Sequence, residues 1–172
     1  MRKPEGWDDV EVYSNARPKE NYYILKIINV AEGLSKNTDE PMLRLELDII
    51  EGEFDRFYTK LSQKLEKNLL IRYNQLTEKK ESLPFFKKLI MCVEKSNMDF
   101  KFNFDPNTLR GKKVGAYLSE YDYESKKGTK KGLRIDGFYT VGEVREEMGK
   151  QIVNNLESAD DKKDIYDDLP FS

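Results

Sequence analysis

The run MLRLELDII, residues 42–50, alternates without a break: Leu43, Leu45, Leu47 and Ile49 fall on one side, and Arg44, Glu46 and Asp48 on the other. Successive side chains of a strand point to opposite faces, so this pattern predicts a β-strand with its leucines on a core and its charges in water. Upstream, NYYILKIINV (21–30) is rich in β-branched and aromatic residues and predicts a first strand. Tyr23, Leu25 and Ile27 share one of its faces, and Tyr22, Ile24, Lys26 and Ile28 the other. Between the two, residues 31–41 carry Gly, Asn, Asp and Pro and read as a connection.

Downstream, Glu51-Gly-Glu53 marks a turn, and Phe54–Lys60 predicts a third strand. Leu61–Glu81 reads either as helix or as a late strand around Asn68–Leu76. Pro84 sits where the first turn of a helix tolerates a missing N–H, and Phe86, Leu89, Ile90 and Val93 follow at helical spacing, predicting a helix with one buried stripe. Cys92 lies in that helix as a small core hydrophobe. A fourth strand is predicted in KVGAYLSEYDYE (113–124), with Val114, Ala116 and Leu118 inward and Tyr117, Tyr121 and Tyr123 opposite. A basic loop follows at Ser125–Gly132, then a returning strand at LRIDGFYTV (133–141) with a bulge at Gly137, and a short helix from Val141 to about Met148. Three strands, a helix and two strands is the element order of an OB-fold: a mainly β, five-stranded barrel with a helix between strands 3 and 4. The expected organisation is an OB-fold domain over 1–150 and an acidic, flexible tail over 151–172.

Composition narrows the chemistry. The chain has 172 residues, 62 of them charged (30 basic, 32 acidic), with one cysteine and no histidine. A Ser-His-Asp triad, a His–Cys pair and an imidazole metal ligand are therefore excluded, and Cys92 alone makes neither a thiolate cluster nor an internal disulfide. No phosphate loop of the GxxxxGK[ST] type is present, so no cofactor is expected. No apolar run approaches the roughly 18–20 residues of a membrane span, and the expectation is a soluble, intracellular protein that is not an enzyme.

Charge is unevenly placed. Lys112, Lys113, Lys126, Lys127, Lys130, Lys131 and Arg134 face only Glu120, Asp122 and Glu124 in the window 112–134, a balance of +4, whereas residues 157–172 hold six acids against Lys162 and Lys163, a balance of −4. Single-stranded nucleic acid is held by cations that track phosphates together with flat rings on which bases stack, and the basic window interleaves its lysines with tyrosines. The candidate stacking residues are Tyr117, Tyr121, Tyr123 and Tyr139, with Tyr22 and Tyr58 behind them. Lys26, Arg44 and Arg56 are candidate cations from the first three strands. The opposed charges of window and tail also predict that the tail competes with phosphates.

The acidic end closes on an apolar tip, Leu169-Pro170-Phe171, that no core can use. With Asp167 and Asp168 it resembles the acidic Pro-Phe tip of bacterial single-stranded DNA-binding proteins, which docks replication and repair proteins. The body resembles the phage-encoded single-stranded DNA-binding, recombination-associated family. That resemblance lies in Trp7-Asp-Asp-Val, Tyr22-Tyr-Ile-Leu-Lys-Ile27, Pro41-Met-Leu-Arg-Leu, Asp48-Ile-Ile-Glu-Gly-Glu-Phe54, Leu83-Pro-Phe-Phe-Lys87, Val93-Glu-Lys-Ser-Asn97 and Leu109-Arg-Gly-Lys-Lys-Val-Gly115. It implies an OB-fold that coats single-stranded DNA in the cytoplasm of an infected bacterial host and recruits replication and recombination proteins through its tip. The pattern departs from the bacterial one in Ser172, which follows Phe171, and in a short linker without Gly, Gln or Pro richness. Homo-oligomerisation is left open. Two other readings stand beside this one: a phage protein-interaction module without nucleic-acid binding, and a carboxylate-metal nuclease built on Asp48, Glu51, Glu53 and Asp55.

Overall fold

The computed structural model describes residues 1–10 and 15–167, with side chains to Ser158. Five strands form one antiparallel sheet: β1 (Asn21–Leu34), β2 (Pro41–Ile49), β3 (Ile71–Leu76), β4 (Lys113–Ser125) and β5 (Gly128–Tyr139). Their spatial order is β3-β2-β1-β4-β5. The two outer strands curl toward each other, and Tyr73 of β3 meets Phe138 of β5 edge to face with ring centres 4.8 Å apart, so the sheet becomes a nearly closed barrel. Among the described residues there are three α-helices, α1 (Phe57–Leu65), α2 (Leu83–Ser96) and α3 (Val141–Asp167). With α2 between β3 and β4, this is the OB-fold arrangement read from the sequence.

The inward side chains of the strands fill the barrel: Leu25 and Ile27, Leu43 through Ile49 at alternate positions, and Val114, Ala116 and Leu118 are all essentially inaccessible. Into this core α2 inserts Leu89, Cys92 and Val93, one stripe of a helix whose Pro84 occupies the first turn. Asn97, just past α2, fixes the helix to β4: its Nδ2 donates to the carbonyls of Val93 (2.7 Å) and Lys113 (2.8 Å), and its Oδ1 accepts from Lys113 N (3.0 Å). Among the described residues no helix is long and apolar enough to cross a membrane.

Three local expectations are corrected. Phe54–Lys60 is not a strand; α1 starts at Phe57, and the third strand is Ile71–Leu76. The reason lies in Asp48, which alternation placed outward. It is buried, and its carboxylate accepts from the backbone N–H of Ile49 (2.8 Å), Tyr58 (3.0 Å) and Thr59 (2.8 Å) and from the Thr59 hydroxyl. The Tyr58 and Thr59 amides belong to the first turn of α1, where orphan donors need an acceptor. The basic loop is also shorter than expected, because β4 and β5 run on to Ser125 and Gly128 and leave only Lys126 and Lys127 in the turn. Finally, the helix starting at Val141 continues to Asp167 rather than ending near Met148.

The start of α3 carries a reciprocal cap. Thr140 Oγ1 accepts from Glu143 N, Glu143 Oε1 accepts from Thr140 N, both at 3.1 Å, and this backbone bond holds the Glu143 carboxyl below the usual glutamate range. Beyond the cap, α3 lies on the outside of β1 and β4. Val141 and Val144 pack on Ile24, with Tyr22, Tyr139 and Met148 around them, and Asn21 and Gln151 exchange two hydrogen bonds (3.2 and 2.8 Å). Gly115 makes that approach feasible, since a Cβ there would stand 2.5 Å from Val144 Cγ2.

Candidate nucleic-acid interface

The β4–β5 hairpin extends past the end of β1, because β4 pairs with β1 only as far as Leu118, opposite Asn21. From Ser119 onward the two strands pair with each other, with Glu20 Oε1 accepting from Glu120 N (2.9 Å) at the base, and their register sorts the side chains by face. Tyr121 lies opposite Gly132, Tyr123 opposite Lys130 and Ser119 opposite Arg134, whereas Glu120, Asp122 and Glu124 lie opposite Leu133, Lys131 and Thr129. Directly opposed residues share a face. One face of the ribbon therefore presents Tyr121, Tyr123, Lys130 and Arg134 without an acid, and the other gathers the three acids around Lys131, whose Nζ is 3.6 Å from Glu120 Oε2. Of the seven bases counted in the window 112–134, Lys130 and Arg134 thus fall on a cationic aromatic face, Lys131 on an acidic one, Lys126 and Lys127 in the turn, and Lys112 and Lys113 at the far end of β4.

The aromatic face is open. Tyr121 and Tyr123 are 39% and 43% exposed, with ring centres 5.9 Å apart and planes tilted by 41°. Gly132 gives Tyr121 room to lie across β5, since a Cβ at Gly132 would come within 2.9 Å of the ring. The Arg134 guanidinium sits 5.8 Å from the Tyr121 ring centre, a cation–π distance that keeps the charge beside the stacking surface. At the tip, Ser125 Oγ donates to Gly128 O (2.8 Å) and accepts from Lys127 N (3.2 Å), so Lys126 and Lys127 are carried on a tied turn. Rings, guanidinium and ammonium groups on one ribbon can stack exposed bases and contact the phosphates between them.

The remaining sequence candidates are placed elsewhere. Tyr22, Tyr117 and Tyr139 form an edge-to-face set (4.9 and 5.4 Å), partly covered, with Tyr22 and Tyr139 packed against the α3 cluster. Tyr58 packs on the barrel core; burial pushes its hydroxyl up to about 12, with Tyr23 and Asp48 adding to the shift. Lys26 and Lys113 are direct neighbours across β1 and β4. Lys113 and Tyr121 are eight residues apart on β4, about 26 Å at about 3.3 Å per residue. Lys112 lies over the Phe100 ring at 4.8 Å. Arg56 precedes α1 in a left-handed backbone conformation.

Arg44 belongs to a second polar surface on the outside of β2 and β3, where its Nε donates to Asn74 Oδ1 at 3.0 Å. Arg72 stands on the same surface, 3.8 Å from Glu46. Arg72 was missed from sequence because the strand that carries it could not be separated from a helix; period-two pairing of Ile71 with Tyr73 and Gln75 was the available signal. The acidic tip Asp167, Asp168, Leu169, Pro170 and Phe171 lies outside the described residues, apart from the backbone of Asp167 that ends α3.

Two of the four acids considered for metal chemistry have other partners. Asp48 caps α1, and Glu51 pairs with Arg145 at 2.7 Å. Among the described residues no three His, Cys, Asp or Glu side chains are grouped to hold a metal ion. Comparison of the sequence with protein-family models gives no match, and comparison with curated proteins gives none either.

Proposed function

We propose that this chain is a sequence-nonspecific single-stranded DNA-binding protein that protects or organises single strands during phage replication and recombination, and that its C-terminal tip recruits partner proteins. The observation that carries the reading is the split ribbon: Tyr121, Tyr123, Lys130 and Arg134 share one face of a hairpin extending from an OB-fold barrel. Every base has a π-face, so stacking on two tyrosines discriminates single strands from duplexes without reading sequence. In a duplex those base faces are already stacked and out of reach. Phosphates then meet Lys126, Lys127, Lys130 and Arg134, four cations at about 0.7 each, giving a slope of log K against log salt near −3.

The test is fluorescence anisotropy of a labelled oligothymidylate and of a duplex of equal length, titrated with the full chain at two salt concentrations. Tight, salt-sensitive binding to the single strand and much weaker binding to the duplex is the expected result. Equal affinity for both, or none at low salt, overturns the reading.

A further inference from the structure

Two apolar surfaces of the described chain have no counterpart in the fold. One is a groove of about 610 Å³ between the start of β2, the exposed side of α2 and the segment after it, walled by Met42, Leu83, Phe86, Ile90, Phe102 and Phe104. Phe104 stands at its edge in a left-handed backbone conformation (φ 65°) with its ring 80% exposed. That conformation is unfavourable for a bulky side chain, and within the chain the ring meets Phe102 (ring centres 5.2 Å apart) while most of its surface stays in water. The other surface is on α3. Its first turns are held by Val141, Val144, Met148 and Gln151, but Ile152, Val153 and Leu156 are 61%, 52% and 62% exposed. They follow one another at i, i+1 and i+4, one stripe of a helix. A helical segment without packing is marginal in water, so this one needs a surface to bury its stripe.

We propose that this stripe of one copy docks in the groove of a second copy. The shapes fit, since the groove is concave and the helix convex, and an amphipathic helix in an apolar groove is a recurrent mode of association. The charges fit as well. The groove carries Glu32 and Glu78 from its β side and Lys87 from α2, while the helix carries Lys150, an exposed cation paired at 3.3 Å with Glu147, and Glu157, seven residues apart at the two ends of the stripe. The helix thus offers a cation to the groove's acids and a carboxylate to its lysine. Pairing two stripes with each other would leave the groove empty, and the terminal Leu169-Pro170-Phe171 would bring Asp167 and Asp168 toward Glu32 and Glu78. Because the two surfaces differ, the contact is heterologous, and repeating it builds an open chain of copies unless the rotation closes a ring.

The contact is independent of nucleic acid, so it is tested without it. Sedimentation velocity of the full chain from about 1 to 200 μM, the range in which a small interface is populated, should show an average mass rising above the 20.2 kDa of one chain. Leu156→Glu, which spoils the helix, and Leu83→Glu, which spoils the groove, should each stay at one chain. Leu83 is 44% exposed, so both changes lie at accessible positions, and unchanged melting of each variant checks the fold. Mixed in equal amounts, the variants retain one intact helix and one intact groove and should give a species of twice the single mass and no larger. The proposal is overturned if the unmodified chain stays single throughout, if Leu83→Glu still associates as paired helices would, or if the mixture fails to recover the doubled mass. Binding of a peptide of residues 167–172 to a chain that stays single would give the groove to the terminal residues instead.

Discussion

Replacing Tyr121 and Tyr123 together by Ala removes the stacking surface and no charge. Each ring stacked on a base contributes about 1–3 kcal/mol. The rings are 5.9 Å apart, close enough that their losses share one platform and do not add in full. We expect a joint loss of about 2–4 kcal/mol, which is about 30- to 700-fold in affinity at 1.4 kcal/mol per tenfold. Anisotropy with oligothymidylate across a salt series separates this from an electrostatic effect: the binding line should drop at every salt concentration and keep its slope. Both rings are substantially exposed, so the melting temperature should move little. Gly132→Ala, whose Cβ crowds the Tyr121 ring at 2.9 Å, should give a smaller loss of the same kind. Affinity within about twofold of the unmodified chain, or a loss that appears only as a changed slope, refutes the stacking argument.

Other outcomes follow from the same geometry. Changing Lys126, Lys127 and Lys130 to Gln should flatten the salt slope by about 2 units, at about 0.7 per cation, while Lys131→Gln, on the acidic face beside Glu120, should change it little. Asp48→Asn should destabilise the fold, because in either amide orientation an NH₂ group faces donors that the carboxylate accepts. With charged hydrogen bonds at about 1.5–3 kcal/mol each, a loss of about 2–4 kcal/mol is expected, read as a melting temperature lower by about 5–15 °C. The α3 cap depends on pH. The Glu143 pKa is lowered in the folded state, so its contribution is present above the ordinary glutamate range and disappears as pH falls through the folded value. The stability difference between the unmodified chain and Glu143→Gln should therefore be larger at neutral pH than in acid, measured by helix ellipticity on heating; a difference constant with pH contradicts the cap.

Much of the barrel is visible in short-range pattern. The alternation of Leu43 to Ile49 and of Val114 to Leu118, and the stripe of α2, each follow from a period that one element imposes on its own side chains. What escapes that reading depends on partners distant in sequence. Asp48 looks solvent-facing by period, yet it is buried because the amides of Tyr58 and Thr59 lie against it. The aromatic and β-branched content of Phe54–Lys60 favours a strand locally, and the same bonds make it the entry to a helix. Tyr117 and Tyr139 carry the same stacking chemistry as Tyr121 but sit beside Tyr22 in the region where Val141, Val144 and Met148 of α3 pack, a placement that no period within β4 or β5 reveals. The division of the lysines between Lys130 and Lys131 rests on hairpin register, which follows once the turn is known to hold two residues.

The most direct test of the account is to map where a single strand touches the protein. Oligothymidylate carrying bromodeoxyuridine, irradiated in complex with the full chain and followed by peptide mapping, should place its crosslinks in the β4–β5 hairpin, at Tyr121 and Tyr123. Crosslinks confined to α2, or to the β2–β3 surface around Arg44 and Arg72, would contradict the assignment of that ribbon as the site where bases stack.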